Sequence, residues 1–207
     1  MSISTFTELK AAIADWLLRD DLTAVIPSFI ALAEADLNRN VRHWRMEART
    51  TITLDAQYEE LPSNYLEAKR LSITSGDTYR LELISQAEME TLRASSVNVT
   101  GRPLYYAVTA GQLEFFPTPA DSYTLEIVYV TSLTALADAA GGANWLLTHY
   151  PDVYLYGSLM HAAPYLSDDD RINVWAQLYA QAVAGVNAES NKAKFSGAGM
   201  RLKINSY

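Results

Sequence analysis

Apolar side chains recur at helical spacing in the N-terminal part of the chain. Thr5 and Glu8 have the spacing of a capping box, in which the two residues satisfy each other's backbone N–H groups. Pro27 suits an early position of a second helix because a first-turn N–H has no partner within the helix. The pattern predicts amphipathic helices over residues 5–18 and 27–40, each burying one face against a core.

From Arg49 onward the apolar period changes to two, which marks the start of a β-rich insertion over residues 48–132. Thr50, Ile52 and Leu54 alternate with polar residues, as is typical of a strand with one buried face. Ser85 and Glu88 predict a short helix over 86–93. Further strands are predicted over residues 68–74, 79–83, 105–108, 113–116 and 123–130, the last three as an antiparallel meander.

Helical spacing returns over residues 145–163 and 169–187, with Pro164 ending the first of these two helices. Asp168–Asp170 precede the second helix, where carboxylates cap the backbone and complement the helix dipole. A metal cluster is the weaker interpretation because no other ligand lies near them in sequence. The predicted fold is α+β: a helical bundle of two N-terminal and two C-terminal helices with an inserted antiparallel β-rich portion. Residues 1–187 form a single domain in this prediction, and residues 188–207 form an extended C-terminal tail.

The C-terminal helical pair is rich in large aromatic side chains and carries no reactive constellation. Such side chains combine apolar area with a polar tip and are favoured at protein contacts. The segment is therefore predicted to serve packing and assembly rather than catalysis. The aromatic residues are Tyr150, Tyr154, Tyr156, Tyr165, Trp175 and Tyr179.

The predicted tail is cationic, although the chain as a whole is anionic. It carries four basic residues against the single acid Glu189, which suggests a charged partner. Alternation of apolar and polar residues over 200–205 favours a strand that docks on a neighbouring subunit, and a disordered terminus is the alternative. The predicted docking residues are Lys192, Lys194, Phe195, Met200, Arg201, Leu202, Lys203, Ile204 and Tyr207.

Charge and composition exclude several function classes. With 16 basic and 24 acidic residues the net charge is −8, which disfavours tight wrapping of nucleic acid. The absence of cysteine removes disulfides, thiolate metal sites and thiol nucleophiles, and fits assembly in a reducing cytoplasm. No signal peptide or membrane-spanning segment is expected.

Candidate catalytic groups are sparse. His43, His149 and His161 have no metal-ligand spacing and are expected at the surface or at the edge of a core. Gly141-Gly142 lacks the Lys-Ser/Thr of a phosphate loop, and no nucleophile elbow occurs. The chain is therefore not expected to be an enzyme, nor to hold a metal or cofactor.

A series of short motifs, in order along the chain, resembles the head-to-tail adaptor (connector, or tail tubular) proteins of tailed bacteriophages. The series covers most of the chain, and no single motif is specific. The motifs are residues 61–66 (LPSNYL), 101–103 (GRP) followed by Tyr105-Tyr106, 113–119 (LEFFPTP), 123–129, 144–147 (NWLL), 150–152 (YPD), 155–157 (LYG), 162–166 (AAPYL), and Trp175 with Tyr179.

The resemblance implies a non-enzymatic virion protein, assembled in the host cytoplasm, that forms a ring, expected to be a dodecamer, beneath the portal protein. The ring would extend the DNA channel, let genomic DNA pass without sequence-specific binding, and offer a platform to a tail or nozzle protein. The resemblance also implies that the C-terminal tail reaches into the portal ring. The alternative is a tail-completion or other virion module that anchors a tail or receptor-binding protein.

Overall fold

We describe the protein from a computed structural model, in which residues 2–96, 99–166 and 171–196 are described. The chain divides into two compact units: Met1–Trp44 with Leu133–Tyr207, here the helical unit, and Arg45–Ser132, here the β unit. The helices are α1 (Phe6–Leu17), α2 (Ile26–Asn40), α3 (Gln86–Ser95), α4 (Trp145–His149), α5 (Pro151–Ala162) and α6 (Ile172–Phe195), with short 3-10 turns at Trp44–Met46, Ala140–Gly142 and Ala163–Tyr165. The strands are β1 (Glu47–Leu54), β2 (Tyr58–Glu60), β3 (Tyr65–Ile73), β4 (Tyr79–Arg80), β5 (Glu82–Leu83), β6 (Thr100–Gly101), β7 (Tyr105–Thr109), β8 (Gln112–Phe116), β9 (Thr118–Pro119) and β10 (Tyr123–Thr131).

The capping box of the sequence places the start of the first helix correctly. Thr5 Oγ1 accepts the N–H of Glu8 at 3.3 Å, and the Glu8 carboxylate accepts the N–H of Thr5 at 3.2 Å. Leu9, Ile13 and Leu17 then form the buried stripe of α1. The predicted α+β class is confirmed, while the bundle arrangement and the single domain over residues 1–187 stay predictions.

Helix α5 packs against α1, α2 and α6 within the helical unit. Gly157 lies at the closest approach: a Cβ there would stand 3.0 Å from the ring of Tyr179 and 3.3 Å from the Cβ of Ala33. A larger residue at this position would push neighbouring helices apart, since packed interiors leave few voids.

The helix predicted over residues 145–163 is in fact two helices. Asn144 caps α4 by accepting the N–H of Leu147 at 2.9 Å, and Tyr150 then leaves helical geometry with φ −138° and ψ 63°. The cause is Pro151, which disfavours helical geometry in the residue before it and has no N–H to bond to the preceding turn. Pro151 instead begins α5, where a missing N–H costs nothing.

Helix α6 is longer than the predicted 169–187 and ends at Phe195. Residues 188–195, expected to be extended as part of the tail, are helical, which corrects that boundary. The predicted caps Asp168–Asp170 lie outside the described residues. The buried stripe of α6 continues past the predicted end of the helix, and Ser190 is its last member. The stripe consists of Trp175, Tyr179, Val183, Val186 and Ser190.

The β unit contains two four-stranded sheets, with strand orders β1-β10-β3-β4 and β2-β8-β7-β5, and the parallel pair β6-β9. Helix α3 begins as predicted, with Ser85 Oγ accepting the N–H of Glu88 at 3.2 Å. Apolar side chains from both four-stranded sheets form one core, which consists of Leu54, Leu71, Ile73, Leu81, Tyr106, Leu113, Phe115, Leu125, Ile127 and Tyr129.

The predicted antiparallel meander is only partly correct. Strands β7 and β8 pair antiparallel as expected, but β10 lies in the other sheet, between β1 and β3. Strand β10 is largely buried and needs a partner on each edge, and β1 and β3 supply both. Pro119 lies in β9, which pairs with β6, so the chain changes sheet between β8 and β10.

Candidate assembly surfaces

The end of α6 carries the described part of the predicted docking tail. Lys192 and Lys194 lie in its last turn, where cations interact favourably with the carbonyl end of a helix. Phe195 follows with 71% of its surface exposed. This helix end therefore presents cationic and aromatic groups together. The other predicted docking residues, Met200, Arg201, Leu202, Lys203, Ile204 and Tyr207, lie outside the described residues.

Two side chains of α6 hold the segment at residues 40–44, where the chain leaves the helical unit. Asn187 Oδ1 accepts the N–H of Arg42 at 2.8 Å, and its amide donates to the carbonyl of Asn40 at 3.0 Å. Ser190, fully buried, accepts the N–H of Trp44 at 3.0 Å. Neither residue is evident from the sequence, because a polar residue near a helix end normally indicates an exposed face.

Helix α2 holds the returning segment in the same manner. Asn38 Oδ1 accepts the N–H of Leu133 at 2.8 Å, and Glu34 Oε1 accepts the N–H of Leu136 at 2.7 Å. Burial raises the pKa of the Glu34 carboxyl, and the hydrogen bond from Leu136 opposes that shift. The last residues before the β unit and the first residues after it are thus held by side-chain hydrogen bonds within the helical unit.

His43 lies in an aromatic cluster of the helical unit rather than at the surface or the edge of a core. Its ring is 2% exposed and stacks on Trp145 with centroids 4.8 Å apart, while the ring of Tyr150 lies 6.1 Å away. His161 lies in the last turn of α5, where burial lowers its pKa. His149 lies in the last turn of α4 and is exposed.

Half of the aromatic set predicted to mediate assembly serves the core of the helical unit instead. Tyr154, Trp175 and Tyr179 are buried. The Tyr154 hydroxyl accepts from Asn144 at 2.7 Å, and the Tyr179 hydroxyl donates to Asp36 at 2.7 Å. Burial raises the pKa of both tyrosines. A role in assembly stays a prediction for the remaining three.

One end of α1 exposes two large apolar side chains. Leu18 is 85% exposed and adopts the left-handed conformation, with φ 55° and ψ 41°, which costs a leucine roughly 1 kcal/mol. Trp16 is 45% exposed, and its ring lies 5.9 Å from that of Tyr156. Neither core packing nor backbone preference explains a leucine at this position, which makes the helix end a candidate contact surface.

A groove runs between α5 and α6 within the helical unit; we call it the α5–α6 groove. Its volume is about 460 Å³. Its walls carry an acid on each side, Asp152 from α5 and Glu189 from α6, over an apolar floor that includes Val186. The full lining is Tyr150, Asp152, Tyr156, Leu178, Gln181, Ala182, Gly185, Val186 and Glu189.

Two buried carboxylates in the β unit connect neighbouring elements. Glu126 on β10 is 5% exposed and accepts from Arg49 on β1 and, at 2.6 Å, from Arg70 on β3. The hydrogen bonds from Arg49, followed by those from Arg70, lower the pKa of Glu126. Arg93 on α3 donates to Glu114 on β8 at 2.6 Å. These carboxylates are held by arginines from neighbouring elements of the β unit.

The described residues contain no group of three or more histidines, cysteines or acids that could hold a metal ion. Within the same ranges, no helix is both long and apolar enough to cross a membrane. The described residues do form three surface features: the cationic end of α6, the exposed apolar end of α1 and the groove with two acids between α5 and α6. Such features suit contacts with other proteins.

Comparison with known proteins supports this view. No curated protein matches the chain closely. The model of one protein family, described as SU10 adaptor protein, matches residues 4–201 and so includes both units and part of the tail. The chain therefore belongs to the SU10 adaptor protein family, a family of phage head–tail adaptors, and is a phage structural adaptor.

Proposed function

We propose that the chain forms a ring, expected to be a dodecamer, that docks beneath the portal and continues the DNA channel toward the tail. As a phage adaptor it is a virion component that contacts other head or tail proteins. The observation that carries this proposal is the cationic end of α6, which lies within a family match that extends past it to residue 201. A tail or nozzle protein would bind the opposite side of the ring.

Charge supports docking through the C-terminal segment. Lys192 and Lys194 on α6, with Arg201 and Lys203 beyond it, gather four cations on a chain whose net charge is −8. Complementary potentials steer encounter and fix register between partners more than they raise affinity. A portal surface that receives this segment is therefore expected to be acidic, with apolar recesses for Met200, Leu202 and Ile204.

The same net charge suits a channel for DNA. A wall that repels phosphate lets the duplex slide, whereas each cation facing the lumen would release counterions and hold the DNA. We expect acidic groups to line the lumen. Chemical labelling of carboxylates in assembled particles, with and without packaged DNA, would test this, and a lumen lined by basic or apolar groups would contradict it.

The structure sharpens the test of portal docking. A chain that ends at Glu189 would lose the last turns of α6 together with Ser190, so its failure could reflect lost structure. A chain that ends at Ser196 keeps α6 and removes only the terminal segment. We expect the full chain, but not the chain ending at Ser196, to form rings on purified portal in electron micrographs.

Charge variants provide the matched control. Arg201→Glu with Lys203→Glu is expected to abolish portal binding, whereas Arg201→Lys with Lys203→Arg preserves both charges and is expected to retain it. Equal ring formation by the full chain and the chain ending at Ser196 would refute tail docking. If protease protection then appeared on loops of the β unit instead, the tail-completion alternative would be favoured.

A further inference from the structure

The α5–α6 groove has the dimensions of a short strand. Along α6 it extends from Leu178 to Glu189, which at about 1.5 Å per residue is about 16 Å. A five-residue strand such as Met200–Ile204 spans about 16 Å at roughly 3.3 Å per residue. The groove can therefore hold this segment along its whole length.

The chemistry of the groove matches that segment. In an extended strand Met200, Leu202 and Ile204 share one face, while Arg201 and Lys203 share the other. The apolar face suits the floor formed by Leu178, Ala182 and Val186. The cations then lie at the level of the rims, which carry Asp152 and Glu189.

The segment is also tethered close to the groove. Glu189 lies six residues before Phe195, so the near end of the groove is about 9 Å back along the axis of α6. Residues 196–199, which include Gly197 and Gly199, can span about 13 Å when extended. Glycines permit the reversal of direction that a return along α6 requires.

We propose that the terminal segment Met200–Ile204 folds back into the α5–α6 groove of its own chain when no portal is present. A short tether gives an effective concentration in the millimolar range, so weak contacts suffice. The rim charges are exposed and contribute little individually, and burial of three apolar side chains provides most of the stabilisation. The groove thus shields the apolar face of the segment.

This contact would make docking a release step, a role that rests on the portal docking proposed above. A segment held in the groove must leave it before it can enter the portal. If the groove is occupied about 90% of the time, the apparent affinity for portal is reduced roughly tenfold. The folded-back state would therefore delay premature association.

Pulsed electron spin resonance on the full chain tests the contact directly. Because the chain contains no cysteine, Asn191→Cys and Ser206→Cys place one spin label on an exposed position of α6 outside the groove and one near the C-terminus. We expect a single narrow distance that persists when labelled chains are diluted into an excess of unlabelled chains. A broad distribution, or a distance lost on dilution, would overturn the proposal.

Gly185 supplies a blocking variant and its control. A Cβ at this position meets no atom within 4 Å, so a larger side chain can be accommodated at the groove without disturbing the fold. Gly185→Trp should broaden the distance distribution, whereas Gly185→Ala should leave it narrow. An unchanged distance in the Trp variant would exclude this groove, provided that thermal unfolding shows both variants to be folded.

Portal binding separates this inference from the proposed function. If the segment leaves the groove and the portal takes it up, Gly185→Trp should bind portal several-fold more tightly than the unaltered chain. A narrow distance combined with portal binding that ignores the tail would refute tail docking alone. A broad distance combined with tail-dependent binding would refute the folded-back state alone.

Discussion

The helical unit and the β unit use buried and half-buried polar side chains in different ways. In the helical unit, Asn187, Ser190, Asn38 and Glu34 accept backbone N–H groups of the two segments that lead out of and back into the unit. In the β unit the buried carboxylates Glu114 and Glu126 are bonded to arginines of neighbouring elements. One unit fixes the path of the chain, and the other fixes the pairing of its strands.

The difference follows from what each secondary structure leaves unsatisfied. A helix bonds its own backbone internally, so nearby loops must find side chains as partners. A sheet satisfies its ladder between strands, which leaves side chains such as Glu126 free to bridge them. Mutations of these polar side chains should therefore act mainly on the path of the loops in the helical unit and on global stability in the β unit.

The largest effect is expected at the Arg93–Glu114 pair. Arg93→Met removes the closest partner of a carboxylate that is 5% exposed, which should lower the free energy of unfolding by about 3 kcal/mol. The double variant Arg93→Met with Glu114→Leu should recover most of this loss because no buried charge remains. Urea unfolding of the single and double variants measures both values, and equal losses in the two would contradict the argument.

Gly157 should give the next largest effect, this time in the helical unit. Gly157→Val forces a branched side chain against Tyr179 and Ala33, which should cost about 2 kcal/mol. Gly185→Ala on α6 is the control, since its Cβ has space and alanine favours the helix by roughly 0.5–1 kcal/mol. Thermal unfolding should thus shift in opposite directions, and a shift in the same direction would show that close approach at Gly157 is unimportant.

Sequence patterns predicted the local elements of both units well. Thr5 with Glu8 and Ser85 with Glu88 marked helix starts that the structure confirms, because capping depends on a few adjacent residues. Strand pairing is harder to predict: the sequence pattern favours a meander that includes β10, but β10 joins strands more than fifty residues away. Short-range patterns carry no information on such distant partners.

The assembly surfaces were only partly predictable. The cationic residues Lys192 and Lys194 were evident from charge, but their helical context was not, since Ser190 breaks the apolar pattern while being fully buried. Asn187 carried no signal because its hydrogen-bond partners lie about 145 residues away. Pro151, by contrast, is a local signal from which the break between α4 and α5 could have been predicted.

A smaller and local effect is expected at Asn187. Asn187→Ala removes hydrogen bonds to Arg42 and Asn40, which should cost about 1–2 kcal/mol. Hydrogen exchange of the Arg42 amide should accelerate, while amides of the β unit keep their rates. The exposed Asn191→Ala in the same helix controls for helix propensity, and equal exchange in both variants would contradict a role for Asn187 in holding the segment.

The smallest effect is expected in the pH dependence of the free energy of unfolding, to which Glu34 in the helical unit and Glu126 in the β unit contribute with opposite signs. Burial raises the pKa of Glu34, so its stabilising contribution is full below the unfolded value and is lost as the pH rises through the folded value. The pKa of Glu126 is lowered, so its contribution is present above the unfolded value and is lost on acidification. Glu34→Gln keeps the oxygen that accepts from Leu136, and relative to the unaltered chain it should gain stability between pH 4 and pH 7. Glu126→Gln should lose stability over the same interval. Urea unfolding at the two pH values, with the exposed Glu82→Gln as control, tests the opposition, and a common sign would remove the distinction between the two units.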